Sequence, residues 1–309
     1  MADSLPNRRQ TLKALSASVG ITLLPQPTPA QAPAPFTLCL NMSTIRGQKL
    51  GFVKELETAA AAGFRSVEIW IDTLQTYLQQ GGTLADARQR IDGLGLRIEN
   101  AIGFAPWIVN DDAARVKGLD QLKREMEMLS QLGCRRIAAP PAGATNTPLL
   151  DLRPVAERYR AILDLGQQTG VIPQLELWGF ATNLSRLSEV LYVAVESGQP
   201  SARVLLDVYH LFKGGSGGVS LPFVGKPAVE VFHLNDYPAS ATRETVTDAD
   251  RVYPGDGVAP IRDLLKVIKT PGKSIVVSLE LFNKSYYAQD ALLVAKTGLA
   301  KMQAVTAGI

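Results

Sequence analysis

Two cysteines and two histidines are all that 309 residues offer of the side chains that build thiolate zinc sites, disulfide frameworks and histidine clusters. Cys39 and Cys134 lie in or beside different apolar segments, which reads as two small core residues rather than a disulfide or a redox pair. Apolar runs are short as well. The stretch at residues 14–24 has eleven residues, too few to span a bilayer, where about 20 are needed. Charge of one sign is also scarce: the net charge is +3, and Arg8, Arg9, Lys13 and Asp3 place +2 of it within residues 1–35. The remainder is nearly neutral, and no basic stripe marks a nucleic-acid surface. Finally, no glycine-rich phosphate turn follows the first strand candidate. Residues 41–47 read Asn-Met-Ser-Thr-Ile-Arg-Gly rather than G-x-G-x-x-G, and the Lys213–Gly218 segment lacks the Lys-Ser/Thr pair that would close a phosphate cradle.

What the chain does have is 46% hydrophobic and 20% charged residues, enough to bury a large single core. From Phe36 onward, apolar segments at 36–41, 66–71, 96–102, 136–139, 173–178, 203–208, 229–235 and 275–282 read as eight buried strands. Helical patterns fall between most of them, at 48–62, 83–93, 111–132, 151–169, 184–197 and 260–269, with a last one at 286–304. Gly63, Gly95, Gly133, Gly170 and Gly198 follow five of these helices, as helix C-termini require. Eight βα units in this length predict an α/β fold, a (β/α)8 TIM barrel over residues 36–309.

In such a barrel the strand C-termini converge on one face. Four ionisable residues end the last four apolar runs: Glu176, Asp207, His233 and Glu280. Any one of them alone reads equally well as a helix cap or a surface charge. Together they form a ligand set of three carboxylates and one imidazole. That set suits one divalent ion of oxygen-rich coordination, Mn²⁺, Mg²⁺ or Co²⁺, with Zn²⁺ also accommodated. Both histidines sit at such strand ends, in Asp207-Val208-Tyr209-His210 and His233-Leu234-Asn235-Asp236. Glu68 on the second strand, and Glu99 or Asn100 on the third, point to the same mouth if their register is right. Trp70, Trp107, Trp178 and Tyr209 are candidates for the apolar wall of a ligand pocket.

The combination of Gly63-Phe64-Arg65-Ser66-Val67-Glu68, Leu175-Glu176, the two histidine motifs, Arg251-Val252-Tyr253-Pro254-Gly255-Asp256-Gly257 and Leu279-Glu280 resembles the sugar phosphate isomerase/epimerase family of xylose isomerase-like TIM barrels. The resemblance covers about residues 36–305. It implies that Glu176, Asp207, His233 and Glu280 bind the metal, that His210 and Arg251 touch a small-molecule sugar substrate, and that Glu176 and Glu280 move protons next to a carbonyl. Glu68 and Trp178 are further substrate candidates. Ketose epimerases of the family often carry another Glu six residues after the strand-five ligand, whereas Thr182 stands there in this chain. That departure sets the chain apart from the fructose and tagatose epimerases. The activity the resemblance implies is isomerisation or epimerisation of a keto-sugar, and a non-phosphorylated one, because cells keep sugar phosphates inside and residues 1–35 read as an export signal. A keto-sugar or inosose dehydratase on the same site and a non-catalytic exported sugar-binding protein are the alternatives. A multi-zinc apurinic endonuclease shares the barrel but needs more than two histidines. The reading leaves room for a homo-oligomer.

Residues 1–35 stand apart. Arg8 and Arg9, Leu12 and Lys13, the mild apolar stretch and a Pro/Ala-rich linker resemble a bacterial twin-arginine (Tat) signal, with Ala30 the expected end of the cleaved segment. This implies transient engagement of the Tat export machinery and a periplasmic or otherwise exported location. Such export carries folded proteins, which would allow metal loading beforehand.

Overall fold

The computed structural model describes Met1 and residues 34–309. The twin-arginine pair, the apolar stretch and the Ala30 cleavage position lie outside the described residues.

Eight strands appear in the expected order: β1 (Phe36–Asn41), β2 (Ser66–Trp70), β3 (Arg97–Ile102), β4 (Arg136–Ala139), β5 (Ile172–Glu176), β6 (Arg203–Asp207), β7 (Val229–Leu234) and β8 (Ile275–Leu279). All of their pairings are parallel, and β1 pairs with both β2 and β8, so the sheet curls into a barrel. The strand order runs β3-β2-β1-β8-β7-β6-β5-β4, which leaves one seam, between β3 and β4, without a ladder. Arg136 of β4 staples that seam by donating from Nη1 to the Glu99 carbonyl of β3 at 3.0 Å. The fold is a nearly closed (β/α)8 TIM barrel.

Helices α1 (Phe52–Ala62), α2 (Ile71–Gln79), α3 (Leu84–Gly93), α4 (Asp112–Gln131), α5 (Leu152–Thr169), α6 (Leu187–Glu196), α7 (Val208–Lys213), α8 (Ile261–Ile268), α9 (Lys284–Tyr287) and α10 (Ala291–Thr306) accompany the strands. Their starts follow local chemistry. Thr83, Asp111, Asp151 and Asp290 each accept a backbone N–H from the first turn, and Gly63 and Gly170 stop α1 and α5 with φ of 103° and 76°. Two helices were not expected. Ile71–Gln79 begins directly at the end of β2, where the apolar pattern reads as continuing strand, and Val208–Lys213 begins directly after Asp207. Several strands also stop one to three residues sooner than the apolar runs suggest. Leu177, Val208 and Leu281 are apolar because they are buried in the loops and helix starts above the barrel, not because the strand continues.

Outward-facing Val67, Ile69, Leu175, Val204, Phe232 and Val277 join the helices in the main core. The barrel interior is filled separately and in layers. At its base, Glu230 bridges Arg136 (2.7 Å) and Arg203 (2.8 Å). Small and medium residues, among them Cys39, Ala138, Leu205, Val231 and Val276, form the middle layer. Polar groups crowd above it. Both cysteines are buried and free, and burial pushes each thiol upward, Cys134 to about 12.

Glu55 at the start of α1 is 5% exposed, and burial raises its carboxyl to about 7 against the lowering influence of Arg46. A carboxyl raised on folding contributes stability that is complete below its unfolded pKa of about 4.3 and is lost as pH rises through its folded value. Glu55→Gln should therefore raise the melting temperature at pH 8 and have little effect near pH 4.5. Thermal denaturation of both proteins across that range checks the sign.

Candidate active site

Asp207 closes β6 and opens α7. Its Oδ1 accepts the His210 N–H at 2.8 Å, and its Oδ2 accepts from Asn235 Nδ2 at 2.8 Å. Asn235 returns the interaction by accepting the Tyr209 N–H at 3.0 Å, so the two histidine motifs interlock residue by residue. Gly179 is part of the same joint. A Cβ there would stand 2.2 Å from the His210 carbonyl, so only glycine lets the loop after β5 approach α7.

His233, near the end of β7, is fully buried. Its Nε2 faces Glu68 Oε1 at 3.1 Å, while its Nδ1 faces Glu280 at 3.1 Å, Asp207 at 3.8 Å and Glu176 at 3.9 Å. That Nδ1 makes no hydrogen bond of acceptable geometry. Asp207, His233 and Glu280 each offer one ligand atom within 4.8 Å of the other two, and the Glu176 carboxylate faces the same nitrogen. The four residues singled out in the sequence are thus brought together at one mouth, although Glu280 lies one residue beyond β8 rather than within it. An unpartnered buried imidazole nitrogen amid three carboxylates fits a divalent cation in both donor chemistry and charge.

Arg251, 1% exposed, supplies the counter-charge. Its Nη1 donates to Asp207 (2.9 Å) and Glu280 (2.7 Å), and its Nη2 donates to Asp248 (2.6 Å) and reaches His210 Nε2 (3.2 Å). The guanidinium also lies over the Tyr209 and Phe282 rings, at 4.4 and 5.1 Å. Its loop is tied down by Asp236, which accepts the N–H groups of Tyr237, Gly255, Gly257 and Ala259 at 2.8–3.0 Å.

The environment drives the carboxyls apart. Burial pushes Glu176 up to about 8 and Asp207 up to about 6, the latter opposed by Arg251. Burial would raise Glu280 too, but His233 and Arg251 prevail and hold it well below the usual range. The His233 ring is raised despite burial, because Glu280 and Glu68 flank it. His210 is lowered, first by burial and then by Arg251. Its two nitrogens stand beside donors, the Gly179 N–H (3.3 Å) and Arg251, so an imidazolium would oppose N–H to N–H.

A cavity of about 80 Å³ opens above these groups, between Trp70, Phe104, Trp178, Phe180 and Phe282. Trp70, Trp178 and His210 line it, as do Glu176, Arg251 and Glu280. Two candidates for the wall lie elsewhere. Trp107 is turned into the core, its Nε1–H donating to the Pro140 carbonyl at 2.8 Å, because its backbone leaves the barrel mouth after β3. Tyr209 packs beneath Arg251 rather than against the cavity. Glu68 is likewise absent from the cavity lining, and its two oxygens are engaged by protein donors. Glu99 turns to the lower barrel, where it accepts from Ser66 at 2.9 Å. Thr182 is exposed, and its N–H donates to the Thr145 carbonyl. Phe104, Phe282, Asp248 and Asn41 were not singled out in the sequence. The phenylalanines lie in loops with no periodicity, and Asn41 is an uncharged strand end whose signal is its polarity at the close of an apolar run.

Residues 56–304 match the xylose isomerase-like TIM-barrel family. Among curated proteins, an inosose isomerase of Bacillus velezensis is 27% identical over 280 residues, covering 87% of this chain and 96% of that protein. A 3-dehydroshikimate dehydratase of Pseudomonas putida is 24% identical over 263 residues, 81% of this chain and 39% of its own length. Among solved structures, the IOLI protein with a binding zinc atom superposes with a TM-score of 0.79 at 23% identity, covering 88% of this chain and 98% of that one.

The dependence of the Arg251 loop on one carboxylate is open to test. Asp236→Ala removes the acceptor for four N–H groups, and with roughly 1.5–3 kcal/mol per hydrogen bond to a charged group, partly recovered by water, a net loss of about 3 kcal/mol is expected. Urea denaturation measures it, and an unchanged midpoint would show that the loop is held by other contacts.

Proposed function

The chain belongs to the family of xylose isomerase-like TIM barrels, and on that premise we propose that it is a divalent-metal-dependent isomerase or epimerase of a non-phosphorylated keto-sugar or keto-cyclitol. The observation that carries this reading is the unpartnered His233 Nδ1 facing Glu176, Asp207 and Glu280 beneath an aromatic-walled cavity. The names of the relatives, an inosose isomerase and a dehydratase of a cyclic ketone, support ketone α-carbon chemistry. Among the described residues, Arg251 is the one Lys or Arg of the cavity lining and is already shared among three carboxylates, which supports an unphosphorylated substrate.

Glu176, Asp207, His233 and Glu280 would hold the ion, which when bound supplies Lewis-acid polarisation of a carbonyl. The protein's own groups do the rest. Glu176, on β5, and Glu280, after β8, flank the cavity from different sides. One removes the proton next to the carbonyl and the other returns it. His210, which lines the cavity and can accept from either Arg251 or the Gly179 N–H according to its tautomer, is placed to orient a substrate hydroxyl. The aromatic side chains exclude water and pack against the faces of the substrate. A dehydratase would use the same groups but release a β-hydroxyl, and the dehydratase relative makes this the second reading.

Incubating the metal-loaded protein in D₂O with a panel of keto-sugars and inososes should place deuterium at the reacting carbon. Mass spectrometry separates this from loss of water. Glu176→Gln and Glu280→Gln should each suppress exchange by two orders of magnitude or more, about the contribution of a positioned acid or base. Failure of every panel member to exchange or dehydrate would leave the sugar-binding alternative standing.

We further propose that residues 1–35 direct export by the twin-arginine route, on the strength of Arg8-Arg9 and the short apolar stretch that follows. Replacing both arginines by lysine should retain the protein in the cytoplasm on cell fractionation, and unchanged export would overturn this.

A further inference from the structure

Glu68 lies at the centre of the barrel, directly beneath the candidate metal ligands, and it is fully buried. A buried carboxylate is costly unless donors surround it. Here they do. Oε1 accepts from Asn100 Nδ2 at 2.6 Å and faces His233 Nε2 at 3.1 Å. Oε2 accepts from Asn41 Nδ2 at 2.8 Å and Ser278 Oγ at 2.6 Å. The donors come from β1, β3, β7 and β8, so five strands meet on one side chain. No lone pair is left for a substrate, and Glu68 is not part of the cavity lining.

The partners also fix the chemistry of the ring above. An anionic acceptor at Nε2 keeps a hydrogen on that nitrogen, and a neutral imidazole so held has its lone pair on Nδ1. Nδ1 is the nitrogen that faces Glu176, Asp207 and Glu280. Asn41 extends the arrangement. Its Nδ2 is shared between Glu68 and Glu280 Oε1 (3.1 Å), and its Oδ1 accepts from Trp70 Nε1 (2.9 Å), so the same anion sets the height of one ligand carboxylate and one wall residue.

We propose that Glu68 is a positioning residue: resting on the metal-site reading above, it acts through His233 and Asn41 to present Nδ1 and Glu280 to the metal, and does not touch substrate. Outer carboxylates of this kind typically govern 10- to 100-fold of metal affinity.

The test begins with untagged, metal-stripped protein titrated with Zn²⁺ by calorimetry. Relative to wild type, Glu68→Ala should raise Kd roughly 10- to 100-fold. Glu68→Gln retains one amide oxygen that can face His233, so it should raise Kd less and guard against a folding defect in the alanine variant. Since the chain has only two histidines, ¹⁵N-histidine labelling of the Zn²⁺-loaded protein gives two ring systems. That of His233 should show Nε2–H and ligated Nδ1 in wild type and a mixture of ligating nitrogens in Glu68→Ala. Wild-type Kd in both Glu68 variants, or a hydrogen on Nδ1 in the loaded wild type, would overturn the proposal while leaving the metal site intact. A raised KM with unchanged Kd would also overturn it, making Glu68 a substrate contact after all. A wild-type protein that binds no divalent ion would bring down the metal-site reading and this proposal together.

Discussion

Four carboxylates share one imidazole and one guanidinium in a space from which water is largely excluded. Glu68, Glu176, Asp207 and Glu280 all lie within 4 Å of a nitrogen of His233, and Arg251 reaches two of them from above. In water such a cluster would be unremarkable. In a buried mouth, its mutual repulsion must be met by fixed donors or by a cation. The surrounding structure answers that demand. Asn41, Asn100, Asn235 and Ser278 are buried amides and a hydroxyl whose donors all end on these oxygens. The Arg251 loop, gathered by Asp236, brings in the guanidinium from the sequence after β7.

The barrel makes this concentration geometrically natural. Parallel strands bring eight C-termini to one ring, and each strand contributes its last inward side chain. The ligand candidates come from β5, β6, β7 and the residue after β8, consecutive strands joined by hydrogen-bonded ladders in which Asp207 and His233 are direct partners. Helix starts strengthen it further: Asp207 is at once a helix cap for α7 and a site residue, so the local rule for starting a helix and the demand for a carboxylate coincide.

Much of this was legible in the sequence, because the signals were short-range. Apolar runs marked all eight strands, Gly63, Gly95, Gly133, Gly170 and Gly198 adopt positive φ at the helix ends where they were expected, and the ionisable residue at the close of each late run marked the mouth. What escaped depends on register. The ladder between β2 and β3 shifts between Val67 and Glu68, so that Glu68 stands beside Asn100 and Glu99 is sent to the lower barrel. No reading of either strand alone contains that shift. The inward fate of Glu68 was evident from its place on the strand, but its saturation by four donors required knowing which residues of β1, β7 and β8 share its level. Phe104 and Phe282 lie past the strand ends, where loop path rather than periodicity decides what a side chain faces. Trp107 shows the converse: a large aromatic near a strand end serves the core when its loop turns away.

The seam between β3 and β4 gives the barrel a preferred direction of compliance. Seven ladders resist distortion, and the eighth position is held by side chains, chiefly Arg136. Strain applied at the mouth is therefore relieved there first, as slipping or parting of two unladdered neighbours costs no backbone hydrogen bonds. The ladders joining β6 through β8 lie away from this cut in the strand order, with β5 one strand removed from it, whereas Phe104 follows β3 immediately. A barrel divided in this way keeps Asp207, His233 and Glu280 on continuous ladders and places the aromatic edge at Phe104 beside the gap, much as a split ring keeps its shape opposite the gap and widens at it.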